Sequence, residues 1–549
     1  MIKIVAKGQC GVVPYDMQGK KDYQEKLFTS FQLSNYVPAD NFYRRLKDLL
    51  DLRWLYKATE KYYGTEGQKS IDPVVFLKLM LIGYLENLGS DRRIIATARM
   101  RLDMLYFLGY DLDEQLPWHS TLSRTRQVYG EEVFKELFLQ VLRGCIEKGM
   151  VAGKRQAMDS VLVKANASMD SLREKEIIED AAAYTKELRE DDEQSSSNND
   201  EDGRGNHGEN TVSAYKRKEV EWHHQWKAKA YHGQPGGRKQ NEEGTGEEHT
   251  FLPKYVSNHT HYSTTDHDAR VAVKPGKPRQ LNYLSQVSVD TASHVITQIQ
   301  ADYADKKDSQ CLPALLTNTI QNLKAEGLLV EEVLADASYS SGEALKSLEA
   351  NGITGYIPNF GQYKPFREGF TYHSEGDYYT CERGVHLPYK KTYSDRKGYR
   401  KKQYRSSAKD CAHCPLRTTC IGARADFKKI DETIDKPLYD CMHQRLQTPK
   451  AKRLKKLRQS TVEPVLGTLV NFLAMKRMNT RGLDLANKCM LMAAACYNLK
   501  KLLKFNAPKA GAQVMKMFKR AENSLKMALF FLFAAMLLPQ GWHLQKQLR

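Results

Sequence analysis

Long apolar runs are what this 549-residue chain has least of. The longest spans residues 527–539 (MALFFLFAAMLLP), well short of the roughly 20 residues that a membrane span needs. It reads as a buried helix or as a frameshifted tail. The opening residues, MIKIVAKGQCGVV, lack the longer apolar core and small-residue cleavage site of a signal peptide. The expectation is therefore a soluble intracellular protein with no membrane role. Acidic residues are also in short supply, 66 Asp+Glu against 84 Lys+Arg, which leaves a net charge of +18. Such an excess implies an anionic partner, nucleic acid or a membrane surface. A hydrophobic share of 41% is enough for a sizeable core and excludes a fully disordered chain. Cysteine is sparse and uneven: of ten, Cys381, Cys411, Cys414 and Cys420 share one stretch of the chain. Inside a cell, clustered thiols point to metal ligation more than to disulfides.

The pattern along the chain divides it into a short N-terminal segment (1–40), a helical region (41–150), an α/β region (151–360 and 450–505), a Cys-rich insertion (361–449) and a basic, apolar tail (506–549). In the helical region Asp72-Pro73 is a good helix start, and Gly89 and Ser90-Asp91 punctuate the next one. Arg92, Arg93, Arg99, Arg101, Arg124 and Arg126 lie on short helices separated by tight turns. That suits a DNA-binding helix-turn-helix or, equally, a plain bundle with solvated basic faces. Beyond it, 156–163 is β-prone. A polar segment over 171–255 has too few aliphatic residues to offset the entropy of ordering, so 190–211 and 232–249 are expected to be loop or disordered. A hairpin (281–290 and 294–300), a helix (311–325), a strand (329–335), a helix (341–350) and a strand (353–358) follow, and residues 450–505 return to helix, opening with the basic run 450–458 and continuing through 462–478 and 485–503. The alternation predicts a mixed sheet with helices packed on it, with chemistry at the strand ends.

A basic protein that works on phosphodiesters needs hard divalent ions, and those want carboxylates on rigid elements. Three acidic residues have a suitable context. Asp159 lies inside a β-prone run, where a charge is costly without a partner. Asp336 closes an apolar strand, and Glu463 follows the basic run 450–458 at the expected start of a helix. Each also has a bland reading. Asp159 can be an edge-strand charge, Asp336 a turn former, and Glu463 the end of a capping box with Ser460.

Several stretches together resemble bacterial DDE insertion-sequence transposases. They are DPVVFLKLMLIGYLENLGSDRR and WHSTLSRTR within 72–126, AMDSVLVKANAS at 157–168, STTDHDAR at 263–270, VLADASYSSGE at 333–343, DCAHCPLRTTC at 410–420, STVEPVLGTLVNF at 460–472 and ANKCMLMAAACYNLKKL at 486–502. The resemblance implies a ribonuclease H-like mixed sheet flanked by helices, behind an N-terminal all-α domain and with a small Cys-rich β insertion. It also implies Mg2+- or Mn2+-dependent cleavage of transposon ends and transfer of the 3′-hydroxyl strand to target DNA. Residue by residue it carries the acidic metal ligands to Asp159, Asp336 and Glu463, and a DNA-gripping base to Arg458. Lys455, Lys456, Lys476, Arg477 and Arg481 are the neighbouring cations expected at DNA. Where the family often has a lysine seven residues after the Glu, this chain has Val470. The implied partners are double-stranded DNA, terminal inverted repeats and target, and a second copy of the chain in a homodimer or higher oligomer. The implied location is the cytoplasm, beside the nucleoid. A catalytically idle DNA-binding derivative and a nuclease without strand transfer are the alternatives.

Cys411-x2-Cys414-x5-Cys420 with Cys381 upstream supplies the thiol count of a structural Zn2+ site, with His413, His386 and the Cys441/His443 pair as competing ligands. Free thiols in a small β-rich insertion are the other reading. Trp222-His223-His224 and Trp226 fit either base stacking or a surface helix, and the acidic run 187–202 either a DNA mimic or a solvated loop. Asp266 and Asp268 suggest no role beyond a turn.

Overall fold

The computed structural model describes residues 31–64, 70–174, 258, 260–273, 278–359, 363, 365–395, 398–421 and 425–505. The polar tracts 190–211 and 232–249, the Trp222–Trp226 motif, the acidic run 187–202 and the tail 506–549 lie outside them. The described part is a mixed α/β fold with a helical N-terminal region. Asp72 caps the Pro73–Leu85 helix as expected, its carboxylate accepting the Val74 and Val75 amides at 2.7 and 3.2 Å. Ser90 occupies the next N-cap position, but its hydroxyl caps nothing.

The strands are β1 (Arg155–Lys164), β2 (Leu172–Glu174), β3 (His261–Ser263), β4 (Arg270–Ala272), β5 (Gln280–Asp290), β6 (Ile296–Tyr303), β7 (Glu332–Leu334) and β8 (Thr354–Tyr356). Six of them form one sheet in the order β4-β5-β1-β7-β8, with β6 also on β5. β5 runs antiparallel to β1, β4 and β6, whereas β1–β7 and β7–β8 are parallel. β5 is buried along almost its whole length, so its polar residues need partners inside. Ser288, Gln156 and Thr297 supply them to one another across β5, β1 and β6.

The Leu483–Lys504 helix joins the two halves. Its small residues Ala493, Ala494 and Ala495 are fully buried in a core that runs continuously from Tyr43 to Leu502. Asn498 accepts from the Ile296 amide (3.0 Å) and donates to the Ile296 carbonyl (2.8 Å), and Asn487 accepts from the Ala301 amide. These bonds satisfy the outer edge of β6, which would otherwise be an open pairing edge. Lys488, buried on the same helix, donates to the Arg126 and Tyr129 carbonyls at 3.3 and 2.6 Å.

Residues 370–433 form a second, antiparallel sheet: β9 (Phe370–His373), β10 (Tyr378–Cys381), β11 (His386–Ser394), β12 (Arg400–Arg405) and β13 (Lys429–Thr433). Its buried core is four residues, Tyr379, Leu387, Tyr404 and Ile430. The chain then returns through the Lys436–Leu446 helix to the Pro449–Phe472 helix, which lies against β1. The basic run is helical from Pro449, in line with the helix expected from 450, so Glu463 does not open a helix, and the helix stops at Phe472 rather than at 478.

Candidate active site

β1 and β7 bring the first two carboxylates together. Their parallel register pairs Arg155 with Glu332 and Ala157 with Leu334. The pairing ends there, two residues before Asp159 on β1 and two before Asp336 just past the end of β7, and the Asp336 charge is felt at Asp159. Ala157 and Leu334 pack into the core that holds Leu454, Val462 and Val465 of the Pro449–Phe472 helix. Alternation along β1 puts Asp159 on that same face. β1 is flanked on both sides at Ala157, whereas at Asp159 only β5 pairs with it, through Val287, so Asp159 stands where the β7 side of the strand opens.

Arg458 reaches Asp159 from the helix, Nη1 to Oδ2 at 2.8 Å, with only 12% and 17% of the two side chains exposed. The Ser160 amide donates to the other Asp159 oxygen at 2.8 Å. Burial pushes the Asp159 carboxyl above its ordinary value. The Ser160 bond and the Arg458 charge pull it down without overcoming burial, and the neighbouring Asp336 charge adds to the rise.

Asp336 does form a turn. It accepts the Ser338 amide at 3.0 Å and the Ser338 hydroxyl at 2.5 Å, while the same hydroxyl stands 2.7 Å from Asp308. Gln286 donates to Asp308 at 2.9 Å and accepts from the buried Tyr339 hydroxyl. The Tyr339 phenol is pushed well above its ordinary value, first by burial and then by Asp308, Asp159 and Asp336. Asp308, Gln286, Ser338 and Tyr339 were not found by sequence reasoning. An aspartate at a helix start reads as compensation of the helix dipole, and only the fold puts it beside Asp336.

Glu463 stands five residues beyond Arg458, about 7.5 Å along the helix and about 140° around it, and is exposed. It lies well inside the helix, and the Ser460 hydroxyl bonds the Leu457 carbonyl, so the capping-box reading is wrong. Among the described residues no three His, Cys, Asp or Glu side chains stand close enough to hold one metal ion. The structure thus gathers Asp159 and Asp336 with Arg458 and does not draw Glu463 into the pair. As it stands this is part of a hard-ion donor set, with one oxygen engaged by a guanidinium.

The expected DNA-facing cations divide in the same way. Lys455, Lys456, Lys476, Arg477 and Arg481 are exposed, whereas Arg458 is committed to Asp159. In the helical region Arg92, Arg93, Arg99 and Arg124 are exposed. Arg126 is not a DNA contact: it is 3% exposed and paired with Asp91 at 2.6 Å. Arg101 is held by Asp103 and Glu86 at 2.6 and 3.1 Å. The Asp266/Asp268 motif also has a structural role. Asp266 accepts from the Tyr283 hydroxyl and the Gly482 amide, and Asp268 from the Leu483 amide, so together they anchor the start of the last helix. Gly482 itself has φ +89°, a backbone conformation that suits glycine.

The four clustered thiols do not form a cage here. Cys381 ends β10 against Phe370 and Tyr372, while Cys411, Cys414 and Cys420 lie on and between two short helices, Ala408–Ala412 and Arg417–Cys420. Cys411 is buried next to the Ser406 hydroxyl at 3.1 Å, and Cys441 is exposed.

Residues 31–128 match the family described as Transposase domain (DUF772), and residues 380–503 match the family described as Transposase DDE domain. The chain is an insertion-sequence DDE transposase. No curated protein matches it. The first match covers most of the transposase's helical region, and the second runs from the small sheet through Arg458 and Glu463 into the last helix. Among the described residues no helix is long and apolar enough to cross a membrane.

Proposed function

We propose that the transposase cleaves DNA at the ends of its element and joins the freed 3′-hydroxyl to target DNA, with Asp159, Asp336 and Glu463 as its acidic set on a ribonuclease H-like core. The observation that supports this reading most is the parallel β1–β7 pairing, which ends two residues before Asp159 and Asp336, against the helix carrying both Arg458 and Glu463. A divalent ion, Mg2+ or Mn2+, would be held by Asp159 and Asp336 with Glu463 completing the set, and would supply positive charge to the phosphoryl oxygens. Arg458 pairs with the Asp159 carboxylate in the free protein without fully offsetting its burial and, once displaced, can take a phosphate as an alternative partner. Double-stranded DNA, as terminal repeats and as target, is the proposed substrate, and a homodimer or higher oligomer the working form. The Arg458–Asp159 pair also favours a second reading, a catalytically idle DNA-binding derivative.

Labelled duplexes ending in the element's inverted repeats, incubated with protein and Mg2+ or Mn2+, decide between these readings. Joined products that vanish in Asp159→Asn and Asp336→Asn support transposition. Cleavage without joining makes the protein a nuclease, and binding alone makes it the idle derivative. Cys381, Cys411, Cys414 and Cys420 are proposed separately as thiolate ligands of a structural zinc. Metal analysis of a Cys411→Ser/Cys414→Ser variant ends that proposal if bound zinc is unchanged.

A further inference from the structure

A cleft of about 1330 Å³ opens where the helical region meets the far end of β1. The sheet creates it. β7 pairs with β1 only from Arg155 to Ala157, and beyond that the one backbone bridge to this β1 edge among the described residues is the parallel one from Lys164 to Arg477. The opposite wall comes from the turn before the Asp91–Arg99 helix and from the start of the His119–Val128 helix. Four cations line the cleft, Arg92, Lys164, Lys476 and Arg477. Among the described residues the one carboxylate there, Asp91, is already paired with the buried Arg126 at 2.6 Å. Cations of one sign gathered around a space without free counter-charge repel each other until an anion enters. The uncharged lining is rich in asparagine and serine, which suit phosphate and sugar oxygens better than an apolar ligand. Val470 lines the same cleft, so the charge it lacks is brought there by Lys476 and Arg477 from the segment after the helix.

We infer that this cleft grips the sugar–phosphate backbone of duplex DNA leading away from Asp159, so that the helical region and the sheet clamp one duplex near the paired carboxylates. This rests on the DNA reading given above and specifies the path. The five residue steps from Asp159 to Lys164, at about 3.3 Å each, span about 17 Å. That is about five phosphates of a B-form strand. The contacts are to the backbone, so they add affinity without sequence preference.

The test is the salt dependence of duplex binding by the full chain, measured on a random-sequence duplex and on an element-end duplex. Each phosphate contact contributes about 0.9 to the log–log slope. Arg92→Ala is expected to reduce the slope by about 0.9, and Arg92→Ala/Lys164→Ala/Arg477→Ala by about 2.7, equally on both duplexes. Lys409→Ala, an exposed site on the small-sheet side, is expected to leave it unchanged. Arg92 is exposed, so its single variant reads the cleft even if the triple variant fails to fold. If the unsubstituted chain binds DNA and the cleft variants keep its slope, the clamp is wrong while the DNA reading survives. If the unsubstituted chain binds no duplex at any salt, the DNA reading fails and takes the clamp with it.

Discussion

Asp159 in the six-stranded sheet and Asp377 in the five-stranded sheet are both partly hidden carboxylates beside a cation, yet their proton affinities move in opposite directions. Asp377 accepts from Tyr372 at 2.8 Å, Tyr404 at 2.5 Å and Lys402 at 2.8 Å. Burial alone would raise its pKa, but the bonds from Lys402, Tyr404 and Tyr372 outweigh burial and hold it below the ordinary value. At Asp159 burial wins, in spite of Arg458. The small sheet has four buried core residues, so its carboxylates act as fasteners, and Glu432 does the same for Arg367 and Tyr379. The large sheet has a core running from Tyr43 to Leu502 and can hold carboxylates whose charge is poorly compensated. An undercompensated carboxylate that feels a second acidic charge, as Asp159 feels Asp336, is what binding a cation requires.

The largest effect expected from this contrast is on chemistry. Asp159→Asn and Asp336→Asn should each lower DNA cleavage by about 1000-fold, about 4 kcal/mol of barrier, while Asp377→Asn leaves cleavage by the folded protein within about threefold. Gel assays of labelled duplex measure all three, and equal losses would erase the distinction between the sheets. Lys488→Met comes next. It strips a buried donor from two carbonyls, for a loss of about 2–3 kcal/mol in urea unfolding. Burial lowers the Lys488 pKa from 10.5, so the unfolded chain binds the proton more tightly. Wild-type stability should therefore gain on the Met variant as pH rises toward 10.5, and a constant gap would refute that shift.

Asp377→Asn follows at about 1–2 kcal/mol, since solvent reaches about a third of the side chain. Its depressed pKa contributes stability above the ordinary value of 3.8 that is lost as pH falls through the folded one. The difference between wild type and Asp377→Asn should shrink in acid, as melting curves over that window would show.

What could be read from the sequence was local. Asp72-Pro73 carries its own cap chemistry, the β5–β6 hairpin its own alternation, and Asp159 and Asp336 stand out as charges in apolar runs. What could not be read depends on distant pairing. Asp266 and Asp268 look like turn residues until Gly482 and Leu483 arrive from more than two hundred positions away. Arg126 looks like its exposed neighbours because helical spacing does not reveal that Asp91 waits inside. Glu463 reads as a helix start because Ser460 and a basic run precede it, whereas the helix already begins at Pro449, with Ala451 and Leu454 buried in its first turns.

The smallest expected effect tests the comparison most directly. In metal-free buffer at neutral pH, Asp159→Asn should unfold at the same urea concentration as wild type or slightly higher, within about 1 kcal/mol. The amide oxygen still accepts from the Ser160 N–H, its NH2 cannot accept from Arg458, and that lost bond is offset by removing a charge that burial and Asp336 both disfavour. Asp336→Asn, which leaves Asp159 in place, should relieve the same repulsion from the other side. If Asp159→Asn instead costs as much as Asp377→Asn, then Asp159 is a fastener like its counterpart. The Arg458 pair would then be structural, and the large sheet would hold no carboxylate free for a cation.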